Sequence, residues 1–499
     1  MTSFLFYDIE TTGLNSAFDQ VLTFAAIRTD LDLNEIERYE ITMQMRPDIV
    51  PSPGAFITHR LMPEDWEEGI CEYEGACIIH AIVNTPGTLS IGYNSLGFDD
   101  EFLRFTFYRN MLDPYSHQYA NGCCRMDLLP IATLYRIFKP EIIKWPEIND
   151  TKSSQKLPSL KLELISKINK FKTSGKAHNA LVDVEATVAL ARCLIKENRM
   201  WRYSLDFFDK NKDIARIDSI STFFEPSRTL ETTQNSFFEP SCTLETTQNS
   251  FFEPSRTLET TQNSFFQPHG ENYKLALIVS HRLGTDSMYI APVLGIGKSY
   301  HYSNQSIWLR LDKDIIPTSG LANPEKLFVI RKKYGETGLI LPPLDRFWNR
   351  LSEEQKTAVE KNRSLIYDNP ENYLLFKKII EQHREFKYPF VPEADLDSLL
   401  YQSPFFTKAE KQAMLQFHKG CLKEKIAFIE EMKPSRIKAL GIRILFRNYH
   451  SKESLSPLIC NEYNRYMERV RCDNKDAHKK IIDFKQQDRL VPQKAIEEK

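Results

Sequence analysis

No stretch of this 499-residue chain reaches the length and apolarity of a membrane span, so a spanning helix is excluded. The amino terminus lacks a basic segment followed by an apolar one, and the expectation is a chain without a secretory leader. Nine cysteines lie scattered with no zinc-type pair spacing, and Cys123 and Cys124 are neighbours poorly placed to bridge each other. Free thiols in a reducing cytoplasm are the reading. Net charge is missing too: 65 Lys and Arg stand against 67 Asp and Glu, leaving −2. Any surface for a polyanion must therefore be local and set against acidic patches elsewhere.

What is present is the composition of a soluble globular protein, 41% hydrophobic and 26% charged, long enough for two or three domains. The stretch Phe4-Leu5-Phe6-Tyr7-Asp8-Ile9-Glu10-Thr11-Thr12-Gly13 reads as a buried strand that ends in two carboxylates. Alternate residues of a strand share a face, so Asp8 and Glu10 point the same way. Two desolvated acids side by side repel, and a divalent cation between them is the usual resolution, the equal alternative on this stretch alone being a pair of exposed acids before a Thr-Thr-Gly turn.

From residue 1 to about 202, strands and helices alternate. Strands are expected at 20–28, 39–44 and 88–94, and helices at 72–83, 127–138 and 160–168. One further helix opens near Phe98-Asp99, and another near His178. The expected fold is α/β, a mixed sheet flanked by helices. From Phe223 to Pro268 a 14-residue unit, Phe-Phe-Glu-Pro-Ser-Arg-Thr-Leu-Glu-Thr-Thr-Gln-Asn-Ser, recurs almost unchanged. It is polar, matches no solenoid period, and reads as a flexible insertion, the alternative being a repeated docking motif anchored by Phe-Phe-Glu-Pro. Short strands at 274–280, 287–293, 306–311 and 326–331 then suggest a small barrel. Beyond about 345, apolar residues recur at helical spacing, as in Leu422, Ile426 and Ile429, then Ile437, Leu440, Ile444 and Leu445. The expected division is 1–202, 203–344 carrying the 223–268 insertion, and a helical 345–499 frayed beyond roughly 490.

The acidic pair gains partners along the chain. Asn94-Ser95-Leu96-Gly97-Phe98-Asp99 puts a third carboxylate at a strand-to-helix junction, where a plain N-cap is the simpler role. Ala177-His178-Asn179-Ala180-Leu181-Val182-Asp183 adds a histidine and a fourth acid. Together these residues suit a pair of divalent ions that clamp a phosphodiester for attack by water. Asp8, Glu10, Asp99 and Asp183 are then the ligands, and His178 the general base.

Asp-x-Glu-Thr-Thr-Gly, Asn-x3-Phe-Asp and His-x4-Asp, in that order, resemble the three motifs of the DEDD 3′→5′ exonuclease superfamily, histidine subtype. Gly92-Tyr93-Asn94, Phe98-Asp99-Asp100-Glu101, Phe107-Tyr108-Arg109-Asn110, Trp145-Pro146-Glu147 and Leu157-Pro158-Ser159 look like the bacterial exodeoxyribonuclease I family. The resemblance is close through residue 200 and looser afterwards. It implies an RNase H-like exonuclease domain, a small SH3-like barrel and an all-helical C-terminal domain arranged as a clamp. It further implies processive 3′→5′ degradation of single-stranded DNA to 5′-mononucleotides, in DNA repair and recombination. The implied cofactor is Mg²⁺, two ions per site, with Mn²⁺ as a substitute.

Position by position, the resemblance places Arg104, Tyr115, Tyr119 and Lys161 on the strand, with Lys161 standing where an Arg is typical. Asn304, Lys326 and Arg331 are the barrel candidates, and Thr11 and Thr12 offer backbone N–H groups to the terminal nucleotide. A monomer is expected, with the acidic tail of single-strand-binding protein as partner, met by Lys139 or by Lys433, Arg436, Lys438, Arg443 and Arg447. For that basic cluster a solvated helix face is a reading at least as good. Two alternatives stay open: an RNA or oligonucleotide 3′-exonuclease, and a silent nucleic-acid-binding protein on the same scaffold.

Overall fold

The computed structural model describes residues 2–49, 52–61, 63–149, 156–172, 179–220, 273–315, 328–367, 370–385, 387, 395–449, 455–457, 459–465 and 468. The 223–268 repeat and the tail beyond 490 lie outside the described residues. The chain forms two compact units, Met1–Lys196 with Pro389–Lys499, and Glu197–Tyr388.

The first unit opens with strands β1 (Ser3–Thr11), β2 (Val21–Thr29) and β3 (Glu35–Thr42). Short helices α1 (Pro53–His59) and α2 (Pro63–Trp66) precede the longer α3 (Glu72–Val83). Next come β4 (Thr88–Gly92), α4 (Asp99–Arg109), β5 (Cys124–Asp127) and α5 (Leu128–Phe138). The antiparallel pair β6 (Glu147–Asn149) and β7 (Lys156–Pro158) leads to α6 (Leu162–Asn169) and α7 (Ala180–Leu194). The main sheet has the order β3-β2-β1-β4-β5, antiparallel on the β2 side of β1 and parallel on the β4 side. This is the mixed sheet expected.

Strand β1 is central, and its composition shows why. Every residue from Ser3 to Thr11 is buried except Asp8 and Glu10, which are half-buried. Leu5, Tyr7 and Ile9 pack with Phe24 of β2 against Ile79 and Ile82 of α3 and Phe102, Leu103 and Phe107 of α4. Asp8 and Glu10 belong to the other face, and α7 packs against β1 and β2. Burying a large apolar side chain contributes roughly 1.5–3 kcal/mol, so this cluster fixes the register that aims both acids.

Two elements escape a reading by apolar pattern. β3 starts at Glu35, earlier than expected, because Glu35, Ile36, Glu37 and Arg38 lie on an edge strand exposed on both faces. β5 is only four residues long and runs straight into α5, whose N-cap Asp127 accepts the Leu129 N–H.

The second unit begins with α8 (Asn198–Leu205) and α9 (Lys210–Asp218) and continues with β8 (Lys274–Val279), β9 (Ile290–Lys298) and β10 (Gln305–Arg310). After β11 (Val329–Lys333) and β12 (Leu339–Leu341) come helices α10 (Asp345–Trp348), α11 (Glu353–Tyr367) and α12 (Pro370–Arg384). The strands form an antiparallel five-stranded sheet, β11-β10-β9-β8-β12, the small barrel-like sheet anticipated from strand spacing. β9 starts later than the expected 287, at Ile290, because Met288 and Tyr289 before it both leave the extended region with positive φ, +49° and +62°. One face carries Leu294, Ile296, Ile307 and Leu309 against Val359 and Ile366 of α11 and Phe376 and Ile380 of α12. The other buries Trp308 with Ile217 of α9. Lys332 and Asp213 are both fully buried there as a 2.8 Å ion pair.

Helices α13 (Lys408–Lys419), α14 (Leu422–Glu431) and α15 (Arg436–Tyr449) belong to the first unit. Their apolar residues Phe417, Ile429, Ile437 and Leu440 form one core with Tyr73 of α3 and Met111. The helices after residue 344 are therefore split by packing: α11 and α12 complete the second unit, and α13–α15 the first. No helix among the described residues is long and apolar enough to cross a membrane.

Candidate active site

Three carboxylates meet at the end of β1. Ligand-capable atoms of Asp8, Glu10 and Asp183 all lie within 4.8 Å of one another. The strand supplies the first two by alternation, as the sequence implied. Asp183 arrives from the first turn of α7, whose N-cap Asn179 accepts the Leu181 N–H at 3.0 Å. The fourth acid is tied in by the backbone. Pairing of β1 with β4 covers Ser3 to Phe6, and further along the strand Asp99 Oδ1 accepts the Ile9 N–H at 3.2 Å. Asp99, the first residue of α4 and buried, is thus anchored between the two strand acids.

The electrostatics of this cluster are one-sided. Burial holds the Asp8 carboxyl well above the usual carboxylate range, reinforced by the charges of Asp99, Glu10 and Asp183. Glu10 is pushed up to about 8, by burial first and then by Asp183 and Asp99. Asp99 also reaches about 8 through burial, with Asp127 and Asp100 adding to it against the opposing backbone hydrogen bonds. Such a cluster of oxygen donors is stabilised by a divalent cation, and its donor set suits Mg²⁺ or Mn²⁺. The fit is made by all-oxygen ligands and by like charge that burial concentrates. His178 lies outside the described residues.

Residues 5–191 match the exonuclease family RNase_T. The likeness is to an exonuclease domain. Over 221 residues the chain is 38% identical to exodeoxyribonuclease I of Escherichia coli strain K12, covering 44% of this chain and 45% of that protein. The sequence match thus spans less than half the length of that curated relative. The fold match is wider. A structure described as E. coli Exonuclease I in complex with a dA16 oligonucleotide superposes with TM-score 0.72 at 22% identity, over 99% of this chain and 96% of that one. One described as SSB/Exonuclease I in complex with inhibitor CFAM gives TM-score 0.67 at 23% identity, over 97% of each chain.

Within the exonuclease domain, the expected strand contacts fall into different environments. Tyr119 is 66% exposed, and Lys161 is exposed at the N-cap of α6. Tyr115 is half-buried, its ring 5.7 Å from Phe405. Arg104 is buried and committed: it pairs with Asp100 at 2.7 Å and Glu101 at 2.8 Å, and donates to the Tyr401 hydroxyl at 3.0 Å. Thr12 uses its N–H on the Gln20 carbonyl at 2.9 Å, and the Thr11 hydroxyl donates to the Gly13 carbonyl at 2.7 Å. Both threonines shape the turn after the acids. In the second unit Asn304 is exposed, Arg331 donates to the His383 carbonyl at 3.1 Å, and Lys326 lies outside the described residues.

The basic residues gathered in sequence near the end do not form a patch. Arg443 pairs with Asp395 at 2.8 Å and Asp397 at 2.9 Å, and Arg447 pairs with Asp397 and Asp48; both arginines are buried. Arg436 is held by Glu410 at 2.9 Å over the Phe406 ring, and Lys438 donates to the Met432 carbonyl at 3.0 Å. Lys433 alone of the five is exposed, and Lys139 sits 3.9 Å from Glu141.

Asp100 and Asp127 were missed as site residues. Asp100 is fully buried against Arg104, Arg125 and His117, which holds it far below the usual carboxylate range despite burial. Asp127 accepts the Asn94 N–H at 2.8 Å and so fixes the turn that leads to Asp99. The doubled Asp99-Asp100 in the sequence was the available signal for the first.

Proposed function

We propose that this chain is a metal-dependent exodeoxyribonuclease that removes 5′-mononucleotides from the 3′ end of single-stranded DNA. The observation that carries the reading is the meeting of Asp8, Glu10 and Asp183 within 4.8 Å, with Asp99 tied to the strand between the first two. Divalent ions held by these four acids, Mg²⁺ in the first instance, would polarise the phosphodiester and acidify the attacking water. His178 would accept that water's proton, and Tyr119 would offer a ring for a base to stack on. The sheet and α7 keep the carboxylates fixed, so little reorganisation is needed when substrate arrives.

The rest of the reading follows the relatives. Residues 1–202 are taken as the nuclease domain, 203–344 as the SH3-like barrel with its 223–268 insertion, and 345–499 as the helical portion. The enzyme is a processive cytoplasmic monomer of DNA repair and recombination. Its partners are single-stranded DNA and the acidic tail of a single-strand-binding protein, supported by likeness to the described SSB/Exonuclease I structure. Because Arg436, Arg443 and Arg447 are already paired, that tail docks elsewhere than on α15.

The test uses a 5′-labelled single strand with Mg²⁺, with EDTA, and with Asp183→Asn. Shortening from the 3′ end, lost in both controls and absent on a 3′-blocked strand, is the expected result. Survival of the DNA with both Mg²⁺ and Mn²⁺ overturns the enzyme reading. Preferential loss of the same strand made of RNA would move the substrate to RNA.

A further inference from the structure

Helix α4 begins with Asp99 and ends with Arg109, and both residues are buried. Arg109 Nε donates to Oε1 of Glu72, the first residue of α3, at 3.0 Å. Its Nη1 donates to the carbonyls of Ser16 at 3.3 Å and Ala17 at 3.2 Å. Nη2 donates to the Asp19 carbonyl and to the Thr106 hydroxyl, each at 3.0 Å. The N–H groups of the guanidinium fork thus all meet acceptors, and Ser16, Ala17 and Asp19 belong to one loop.

That loop, residues 12–20, joins β1 to β2 and starts just beyond Glu10. It is closed on itself. Thr12 N–H donates to the Gln20 carbonyl at 2.9 Å, and Gln20 N–H returns to Thr12 Oγ1 at 3.0 Å. The Thr12 hydroxyl donates to Asp19 Oδ1 at 3.1 Å. Gly13 fits because it has no side chain: a Cβ there would fall on the Asp19 carboxylate. Arg46 adds an anchor at the Phe18 carbonyl, at 3.2 Å.

The grip matters because the strand ladder slips at the acid. Glu10 stands opposite Thr23, but Thr11 stands opposite Val21. A bulge re-aims the side chains beside it, so the direction of Glu10 depends on where Thr11 and Thr12 are held. Arg28 is a buried arginine of the same kind at the other end of β1. It donates to Ser3 Oγ at 3.2 Å, Thr88 Oγ1 at 2.8 Å and the Ile82 carbonyl at 2.9 Å. Those bonds fasten the start of the strand, away from the acids.

We propose that Arg109 is a positioning residue for the acid site. By gripping the β1–β2 loop at Ser16, Ala17 and Asp19, it sets the turn that keeps Glu10 within reach of Asp8 and Asp183. Helix α4 then secures the acid end of β1 twice, through Asp99 at its head and Arg109 at its tail. This inference rests on the metal-dependent reading above.

The experiment uses the full chain with Arg109→Lys, which keeps the charge opposite Glu72 and loses the fork. Thr12→Val breaks the same turn without touching a charge, and Arg28→Lys is the control for loss of a buried arginine. Binding of Mn²⁺ alone is read from the electron paramagnetic resonance of the free ion, with thermal melts in EDTA beside it. Arg109→Lys and Thr12→Val are each expected to bind Mn²⁺ roughly ten-fold more weakly, while Arg28→Lys keeps the parent's constant although its melting temperature falls. Affinity within two-fold of the parent in Arg109→Lys, or in Thr12→Val should the first variant not fold, overturns the positioning role and leaves the nuclease reading standing. Equal weakening in Arg28→Lys makes the effect one of general stability and also overturns it. A parent chain that binds no Mn²⁺ overturns both readings.

Discussion

Arg447 on α15 lies 2.8 Å from Asp48, in the segment after β3, and 2.6 Å from Asp397. A single guanidinium thus joins two buried carboxylates that are far apart in sequence. The same network runs through Arg46, 3.2 Å from Asp48 and 3.0 Å from Glu72, to Arg109 at 3.0 Å from Glu72. Arg447→Met leaves Asp48 and Asp397 short of their counter-charge. The expected cost is about 3–5 kcal/mol of stability, read from urea unfolding. A loss under 1 kcal/mol would show that the network relaxes around the gap.

The four acids set catalysis against stability. Asp183→Asn removes one charge from the crowd at Asp8 and Glu10. Activity is expected to fall by ~10³-fold or more while the melting temperature of the metal-free protein rises. A variant that loses both activity and stability would mean that Asp183 supports the fold instead.

The pH dependence of metal binding follows from the same charges. Glu10 and Asp99 both titrate at about 8 in the folded protein, far above their ordinary values. Between about pH 4 and 8 the metal-free folded state therefore binds more protons than the unfolded one. Stability contributed here falls as pH rises through that window. Mg²⁺ competes with those protons, so its stabilising shift in melting temperature should be larger at pH 8.5 than at pH 6. Equal shifts at the two pH values would contradict this.

His80 carries the opposite sign. Burial lowers it to about 4, against the pull of the Asp113 backbone carbonyl that its Nε2 meets at 3.0 Å. The unfolded chain takes up this proton near pH 6.5, so the contribution is full above that value and is lost as pH falls towards 4. His80→Gln should remove about 1–3 kcal/mol of that acid-side slope, measured by unfolding across the range.

Arg104 and Tyr119 stand together in the sequence reading and apart in the structure. Arg104→Met is expected to destabilise by about 3–5 kcal/mol, because Asp100 and Glu101 lose a buried partner. Tyr119→Ala, at an exposed ring, should leave the melting temperature alone and weaken single-strand binding by about 1–3 kcal/mol. Thermal melts and anisotropy titrations separate the two.

The central strand and its acids were legible because alternation along Phe4 to Thr11 dictates a face, and the register with β2 carries it out. The approach of Asp183 could be anticipated only from motif order, since helix spacing alone says nothing about which sheet a helix covers. The fate of the basic cluster was not legible. Arg443 and Arg447 read as surface charge until Asp48, Asp395 and Asp397 are brought to them by tertiary packing. β3 was cut short for a related reason: an exposed edge strand has no apolar alternation to report it. The division of the late helices between two cores was equally hidden, because helical periodicity gives a buried face but not its partner.

That division has a consequence for synthesis. Tyr73 and Met111 find their core only when Phe417, Ile429 and Leu440 arrive, some three hundred residues later. A nascent chain therefore carries an unfinished first unit on the ribosome while Glu197–Tyr388, continuous in sequence, can already close upon itself. The acids of β1 precede the second unit in the chain, yet the unit that holds them is completed after it.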